Sequence, residues 1–273
     1  MIKKCRFILA LIIAKILKAG LNVTKLSAGT AMIGKIVLQI CPDFLSLANK
    51  YIDKKLNITG TNGKTTTSGI ISHLIKADGG TLINNAMGAN MLNGVANAIA
   101  VQLNPLKHYQ YSVIESDEAF LEVIYEKYDA DYLVVTNLFR DQLDRYGELE
   151  NTKKFIQNGI DKKPELRLIL NADDPLVASL ESKNEKIYYG VEEVIYKDGT
   201  ESINKGVEEA FNCPCGRPLK YKKKFFAQQG HYYCDCGYSR PNVKYSAKIT
   251  IYKNYSVLDI EGVEYKIDRK SVV

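Results

Sequence analysis

The sequence lacks internal repeats and low-complexity tracts, and it also lacks a hydrophobic run long enough to span a membrane. Its N-terminal apolar stretch, residues 7–17, is broken by Lys15 and is too short to cross a bilayer as a helix. A charged start imitates a secretory signal, but no small-residue cleavage pattern follows, so we interpret the stretch as mature sequence. With 46% apolar and 25% charged residues, the composition is that of a folded globular chain with one large domain or two modest ones.

Acidic residues are scarce in the N-terminal fifth. Residues 1–57 hold ten Lys and Arg against two Asp, whereas the remainder holds 27 against 29. The net charge of +6 therefore belongs to the N-terminus. The run "RPLKYKKKFF" is interpreted as a solvated face, because nothing else in the chain is basic enough for a nucleic-acid footprint, and no nucleic-acid partner is predicted.

The N-terminal segment is predicted to form a helix with one polar stripe. Lys15, Lys18, Asn22 and Lys25 are spaced by three, four and three residues, which places them on one side of an otherwise apolar cylinder. Two interpretations fit this pattern. The helix packs on its own protein, or it rests as an amphipathic helix on the anionic cytoplasmic face of the plasma membrane.

From residue 56 onward, strands and helices are predicted to alternate. The segments "KKLNITG", "YSVIES", "DYLVVTNL" and "LRLILNADDP" each combine an apolar run with polar residues at its end. Polar carboxyl ends on successive buried strands indicate an α/β fold with a mostly parallel sheet and a site along one edge.

The segment "ITGTNGKTTTSGI" predicts a phosphate-binding loop between a strand and a helix. Backbone N–H groups and the helix N-terminus would surround an anion, Lys64 would reach the terminal phosphates, and the Thr65 hydroxyl would bind magnesium. The match to the general P-loop pattern is partial, since that pattern needs a glycine where Ile58 stands. The predicted nucleotide-binding residues of the loop are Gly60, Thr61, Asn62, Gly63, Lys64, Thr65 and Thr66.

Several segments together resemble one enzyme family. "TGTNGKTTT" looks like the ATP loop of the Mur ligases, which join amino acids or ammonia to carboxylates through an acyl phosphate. "MGANMLNGV", "ESDEAF", "TNLFRDQLDRYGE" and "NADDP" extend the resemblance over nearly the whole chain, toward the branch that forms the ATP-using subunit of lipid II isoglutaminyl synthases. The resemblance implies a central ATP-binding domain over residues 56–273, preceded by a helical segment over residues 1–55.

The resemblance assigns catalytic roles to Lys64 and Glu115. Glu115 ends the strand "YSVIE", where Mur ligases keep a magnesium-binding glutamate, and carboxylate oxygen suits that ion. Thr65 and Gln142 complete the implied magnesium ligands, with Gln142 standing where other Mur ligases tend to place a histidine. Asp117 and Glu118 either share the ion through water or begin a solvated helix.

Two asparagines at strand ends are predicted to contact the nucleotide. Asn171, in "NADDP", matches the residue that reads the adenine edge in this family, although a surface turn would also favour this sequence. Asn137 is a weaker candidate of the same kind. Many relatives carry a carbamylated lysine, and near the corresponding place lie Lys153 and Lys154, to neither of which we assign that role.

Four of the six cysteines are predicted to bind zinc. Cys213 and Cys215 in "CPCG", with Cys234 and Cys236 in "CDCG", offer four thiolates, each pair followed by a glycine that permits a tight turn. The resemblance implies a zinc ribbon inserted at residues 207–243. The first pair is one residue shorter than the expected Cys-x-x-Cys, which leaves His231 as a substitute ligand.

The resemblance implies a reaction and a set of partners. With ATP and Mg²⁺, the enzyme would amidate the D-glutamate α-carboxylate of the lipid II stem peptide, in the cytoplasm, using ammonia from a GatD glutaminase subunit. Mur ligases also carry a C-terminal Rossmann-like domain, and since the sequence stops at Val273 we expect that domain to be missing. The alternatives are another Mur-type ligase, similar to folylpolyglutamate synthase, and a truncated nucleotide-binding module without turnover.

Overall fold

The chain folds into two compact units. The computed structural model describes residues 2–24, 30–85, 89–139, 148–197, 200 and 212–268. The first unit comprises Met1–Leu168 with Ser182–Asn184, and the second comprises Ile169–Glu181 with Glu185–Val273. The division between units thus falls within a strand, while the domain boundaries that we expected at residues 55, 207 and 243 stay predictions.

The elements are numbered in chain order. The helices are α1 (Ile2–Thr24), α2 (Thr30–Ile40), α3 (Phe44–Ala48), α4 (Lys64–Ala77), α5 (Leu92–Gln102), α6 (Leu121–Tyr125), α7 (Glu148–Asp161) and α8 (Pro175–Ala178). The strands are β1 (Ile52–Thr59), β2 (Leu82–Asn84), β3 (Tyr109–Glu115), β4 (Tyr132–Val135), β5 (Arg167–Asn171), β6 (Lys186–Tyr196), β7 (Lys220–Phe226), β8 (Gln229–Tyr233), β9 (Tyr245–Ile251), β10 (Tyr255–Ile260) and β11 (Val263–Asp268).

The first unit contains a parallel sheet in the order β4-β1-β3-β2. Its strands are apolar because helices supply the crossovers and bury them, as Ile114 and Leu133 illustrate. The register pairs Ile58 with Glu115 and Thr59 with Val135, so the carboxyl ends of β1, β3 and β4 meet at one edge. The predicted parallel sheet is confirmed, and its polar strand ends lie where the site was expected.

The N-terminal helices pack on the same unit. Phe7, Ala10, Leu11 and Ala14 of α1 follow the spacing of one helix face and are buried. The Phe7 ring stacks on Phe44 with ring centroids 5.1 Å apart. The first of the two interpretations, a helix packed on its own protein, therefore holds for this face of α1.

A glycine permits close packing of two helices in this unit, α2 and α5. A Cβ at Gly34 of α2 would lie 1.7 Å from the carbonyl oxygen of Asn93 in α5, so no larger residue fits at this crossing. Among the described residues, no single helix has the length and apolar character to cross a membrane. Two consecutive helical segments, Ala31–Ile40 and Phe44–Tyr51, are together long and apolar enough, but they are bent by 89° relative to each other.

The second unit combines a mixed sheet with a small hairpin. Its strands lie in the order β11-β10-β9-β6-β5. Strands β6 and β9 are parallel, whereas β9 with β10 and β10 with β11 form antiparallel pairs. Between β6 and β9, strands β7 and β8 form a separate antiparallel pair. This hairpin and the cysteine turns that flank it, within residues 212–240, are called the cysteine lobe below.

Candidate functional site

The loop between β1 and α4 needs glycine at two positions. Gly60 and Gly63 have φ angles of 121° and 82°, in the region that disfavours other residues. A Cβ at Gly60 would also lie 2.4 Å from the Thr136 hydroxyl oxygen. The glycines thus bring the loop backbone against the end of β4 and let α4 begin at Lys64.

The end of β4 supports this loop. The Asn137 side-chain oxygen accepts the backbone N–H of Asn62 at 3.0 Å, and its amide nitrogen donates to the Asn62 carbonyl, also at 3.0 Å. The Thr61 N–H donates to the Asn137 carbonyl at 2.8 Å, and the Thr136 hydroxyl donates to the Asn62 carbonyl at 2.8 Å. Both ends of the Asn137 amide group therefore hold the loop backbone, and its contact with the nucleotide stays a prediction.

Lys64 is folded back onto its own loop. Its ammonium donates to the carbonyl oxygens of Gly60 at 2.5 Å and Thr61 at 3.2 Å, and it lies 3.1 Å from a Glu118 carboxylate oxygen. The same Glu118 oxygen accepts the Gly60 N–H at 3.0 Å. Both side chains are largely buried, so Glu118 is the counter-ion of Lys64 within the loop.

Thr65 and Glu115 are in direct contact. The Thr65 hydroxyl donates to a Glu115 carboxylate oxygen at 2.9 Å, at the point where β3 ends beside the start of α4. Glu115 is 3% exposed. A hydroxyl and a carboxylate oxygen are hard ligands of the kind that Mg²⁺ requires, so the two predicted ligands fit that ion.

Asn85 orients Glu115, a role that sequence reasoning missed. Its side-chain oxygen accepts the Glu115 N–H at 2.8 Å and its amide nitrogen donates to the Glu115 carbonyl at 2.7 Å. Asn85 itself is 4% exposed. Its only signal in the sequence is a polar residue directly after the short strand β2, on the side where the other polar strand ends lie.

The remaining acidic candidates have local roles. Asp117 accepts the Ala119 N–H at 3.0 Å and caps the short helical turn that follows β3. This agrees with the alternative that Asp117 begins a helix. Glu118 pairs with Lys64 as described above. Gln142, the further magnesium ligand implied by the family resemblance, lies outside the described residues.

Asn171 lies in the second unit, at the end of β5. Its side-chain oxygen accepts the Asp173 N–H at 3.0 Å, and its side chain is 9% exposed. Asp174 then caps α8 by accepting the N–H groups of Leu176 and Val177, with Pro175 in the first turn. The segment "NADDP" therefore forms the turn that its sequence favours, and the contact of Asn171 with adenine stays a prediction.

The cysteine lobe holds this turn by polar contacts. The carbonyl of Asp173 accepts the Gly230 N–H at 3.0 Å, and the Tyr238 hydroxyl donates to the Pro175 carbonyl at 2.7 Å. The Asp173 carboxylate accepts the Val191 N–H at 2.6 Å and the Arg240 Nε–H at 2.7 Å. Burial raises the pKa of Asp173, and these two donors oppose that rise.

Four cysteine sulfurs converge in the lobe. The Sγ atoms of Cys213, Cys215, Cys234 and Cys236 all lie within 4.8 Å of one another. The sulfurs of Cys213 and Cys236 are 3.4 Å apart, and those of Cys215 and Cys234 are 3.7 Å apart. Tetrahedral zinc with Zn–S bonds of about 2.3 Å would separate its sulfurs by about 3.8 Å, so the four residues fit this ion.

The short Cys-x-Cys spacing is accommodated by two equivalent turns. In each, the N–H of the first cysteine donates four residues ahead, from Cys213 to the Arg217 carbonyl at 2.7 Å and from Cys234 to the Tyr238 carbonyl at 2.7 Å. Gly216 and Gly237 take φ angles of 84° and 96°, which a glycine tolerates.

A backbone hydrogen bond also favours the thiolate form of one of the four cysteines. A hydrogen bond from the Arg217 N–H lowers the pKa of Cys215 to about 6, which favours the thiolate that a metal binds. His231, the substitute ligand considered from sequence, is placed elsewhere, because its Nε2 lies 2.9 Å from the Val191 carbonyl oxygen.

A parallel sheet that carries a glycine loop, a lysine and a buried carboxylate at the carboxyl ends of its strands defines an α/β protein with a P-loop-type strand–loop–helix unit. The family model of the Mur ligase middle domain matches residues 58–213, and the chain belongs to the Mur ligase family.

Relatives within that family are similar over most of this chain. The chain is 36% identical over 239 residues to the MurT subunit of the glutamine-hydrolyzing lipid II isoglutaminyl synthase of Staphylococcus aureus (strain COL), covering 87% of this chain and 53% of that protein. Against the subunit of the same name from Streptococcus pneumoniae (strain ATCC BAA-255 / R6), identity is 34% over 249 residues, covering 89% of this chain and 55% of that protein. The chain thus spans about half the length of these curated relatives.

A solved structure shows the same fold. The pseudomurein peptide ligase type C from Methanothermus fervidus superposes with a TM-score of 0.64 at 24% identity, covering 89% of this chain and 48% of that one. The fold class expected from the sequence, a Mur ligase-type central domain with a mostly parallel sheet, is confirmed.

Proposed function

We propose that this chain is the ATP-binding part of an ATP-dependent carbon–nitrogen ligase in peptidoglycan biosynthesis, and hence in cell-wall biogenesis and the maintenance of cell shape. The contact that carries the proposal is the 2.9 Å hydrogen bond from Thr65 to Glu115, directly beside a loop that holds Lys64. This arrangement brings together, at one sheet edge, the hydroxyl and carboxylate that we propose as magnesium ligands and the cation that we propose binds phosphate. Similarity to the MurT subunits supports the finer assignment of the reaction.

The reaction we propose is the amidation of the D-glutamate α-carboxylate in the lipid II stem peptide, giving D-isoglutamine. A carboxylate oxygen attacks the γ-phosphorus of ATP, the bond to ADP breaks, and an acyl phosphate forms. Ammonia then attacks the acyl carbon, phosphate leaves with its electron pair, and the nitrogen loses a proton. A glutaminase partner of the GatD type would supply the ammonia. The name of the relatives, a subunit of a glutamine-hydrolyzing synthase, supports a partner that releases ammonia from glutamine, and the GatD type is proposed from the family resemblance.

The residues of this chain hold the phosphates during these steps. Lys64 exchanges its contacts with Gly60, Thr61 and Glu118 for the terminal phosphate oxygens, where its charge stabilises the transferring group. Thr65 and Glu115 would hold Mg²⁺, which when bound neutralises phosphate charge. Asn171 would orient the adenine through its amide.

The cysteine lobe has a structural role in this proposal. Zinc bound by the four cysteines would link the two turns that flank strands β7 and β8, and such a crosslink stabilises a lobe whose buried cluster is small.

ADP release with purified lipid II tests the proposal. We expect release that depends on ammonia, or on glutamine when GatD is present, and a mass change of the product that corresponds to replacement of one carboxyl oxygen by nitrogen. ATP binding without lipid II-dependent release would instead favour a nucleotide-binding module. Release with a folate substrate in place of lipid II would favour a ligase similar to folylpolyglutamate synthase.

A further inference from the structure

The outward face of α1 is apolar and uncovered in the first unit. Opposite the buried face described above, Ile2, Leu9, Ile12 and Ile16 are 73%, 49%, 50% and 65% exposed. At about 100° per residue these four positions fall within an arc of about 80° on the helix. One side of α1 therefore packs on the protein, while the other presents a continuous row of large aliphatic side chains.

Cations border this row, and within the described part of the chain no acidic side chain forms an ion pair with them. Lys4 and Lys15 lie on one side of the row and Arg6 on the other, and all three are exposed. The sequence contains no Asp or Glu before Asp43. Asp43 is already paired with Lys3, at 2.6 Å.

We propose that this face of α1 docks on an anionic membrane surface, with the helix lying parallel to the bilayer. The aliphatic row would enter the acyl boundary, and the flanking Lys and Arg side chains would extend their charged ends to the lipid phosphates. Docking between two copies of this face is disfavoured, because it would bring the same cations together without an acidic partner. Lys15, the first residue of the polar stripe that the sequence pattern indicated, thus borders the docking face.

Vesicle co-sedimentation tests the proposal with the intact chain. Vesicles of phosphatidylglycerol and phosphatidylcholine are compared with vesicles of phosphatidylcholine alone, each at low and at high salt. We expect binding to the anionic vesicles, and we expect high salt to weaken it at least about fivefold. The reason is that salt screens the attraction between the basic side chains and the lipid phosphates. Equal retention on both vesicle types, or on neither, would overturn the proposal.

Two pairs of variants separate the apolar row from the cations. Leu9→Ser with Ile12→Ser removes aliphatic contact, and Lys4→Gln with Lys15→Gln removes charge; each pair should lower anionic-vesicle binding at least about fivefold. Leu106→Ser and Lys54→Gln with Lys76→Gln are matched controls, since these residues are exposed elsewhere in the first unit. Unfolding curves for each variant verify the fold.

Light scattering without lipid tests whether a second copy of the chain covers this face instead of a membrane. A concentration-dependent dimer that Leu9→Ser with Ile12→Ser abolishes would assign the face to a second copy and overturn the membrane proposal. None of these measurements requires turnover, so their outcome is independent of the reaction proposed above.

Discussion

At the scale of single residues, the charge of the loop depends on one pair. Lys64 and Glu118 neutralise each other at 3.1 Å, and Glu118 also binds the Gly60 N–H that a phosphate would use. A Glu118 carboxylate oxygen thus makes the contacts with Lys64 and with the Gly60 N–H that we expect a phosphate oxygen to make when a nucleotide binds. Binding of ATP then requires that Lys64 leave Glu118.

Substitution of Lys64 should sharply weaken ATP binding. Lys64→Ala removes the cation that the β and γ phosphates need, and we expect an affinity at least about tenfold lower by titration calorimetry, because charge-assisted hydrogen bonds to phosphate are strong. Lys76→Ala is the control, since Lys76 is an exposed lysine in the last turn of the same helix. Equal affinities of wild type and Lys64→Ala would refute the assignment of this loop.

The neighbouring carboxylate should have the opposite effect. Glu118→Gln keeps an oxygen to accept the Gly60 N–H but releases Lys64, so ATP affinity should rise about fivefold, as expected for the loss of one competing ion pair worth about 1 kcal/mol. A fall in affinity that appears only when magnesium is present would mean instead that Glu118 is a metal ligand.

Local patterns predicted part of this site, and long-range contacts account for the rest. Lys64 and Thr65 follow from the glycine turn that precedes a helix, whereas the role of Glu115 follows from its place at a strand end together with the family resemblance. The side chain of Asn85 reaches the backbone of Glu115 across 30 positions, and Glu118 meets Lys64 across 54, so no local pattern could reveal either contact. Asn137 was identified as a polar strand end, but only the structure shows that it faces the loop backbone.

At the scale of elements, the turn after β5 is held by contacts with the cysteine lobe in addition to its own local hydrogen bonds. Asp173 is buried, and Arg240 lies across it at 2.7 Å while also contacting Glu192 at 3.1 Å. The sequence predicted the strand and the turn from an apolar run followed by "NADDP". It did not predict the antiparallel strands β10 and β11 or the ion pair between Arg240 and Asp173, since both depend on pairings between distant segments.

Removal of the Arg240–Asp173 ion pair should lower the free energy of unfolding in a pH-dependent way. Arg240→Ala leaves the Asp173 carboxylate buried without its cation, and we expect a loss of about 2–4 kcal/mol in the free energy of unfolding near neutral pH. Burial already raises the pKa of Asp173, and loss of Arg240 raises it further, so the folded variant binds a proton more tightly than the unfolded chain. Stability of the variant should therefore fall as pH rises from about 4 toward 7, and the loss should be smallest in acid.

Denaturant titrations at several pH values measure this effect, and ATP calorimetry at a temperature where the variant is folded tests its consequence for Asn171. We expect weaker ATP binding, because the turn that carries Asn171 loses its support. Lys220→Ala breaks an exposed pair with Asp235 in the same lobe and serves as control. A loss of stability that is constant with pH would show that Asp173 is not the group left unpaired.

At the scale of the whole molecule, each compact unit has its own buried cluster. The first is built on the apolar strands of the parallel sheet, such as Ile114 and Leu133. In the second, the buried cluster of the cysteine lobe is small and includes Cys213, Leu219, Tyr232 and Cys234. Two of those four residues are predicted metal ligands, so the lobe should depend on the ion for much of its stability.

Removal of zinc should consequently affect the second unit selectively. Elemental analysis should find one zinc per chain after expression with sufficient metal, and Cys5→Ser should leave this stoichiometry unchanged, since Cys5 lies outside the cluster. After chelation, hydrogen exchange should accelerate in β7 and β8, because the turns that hold both ends of this hairpin lose their crosslink, while β1, β3 and β4 keep their protection. Unchanged exchange in the hairpin would show that the thiols are not a structural metal site, and loss of protection in β3 would show that the ion supports the first unit as well.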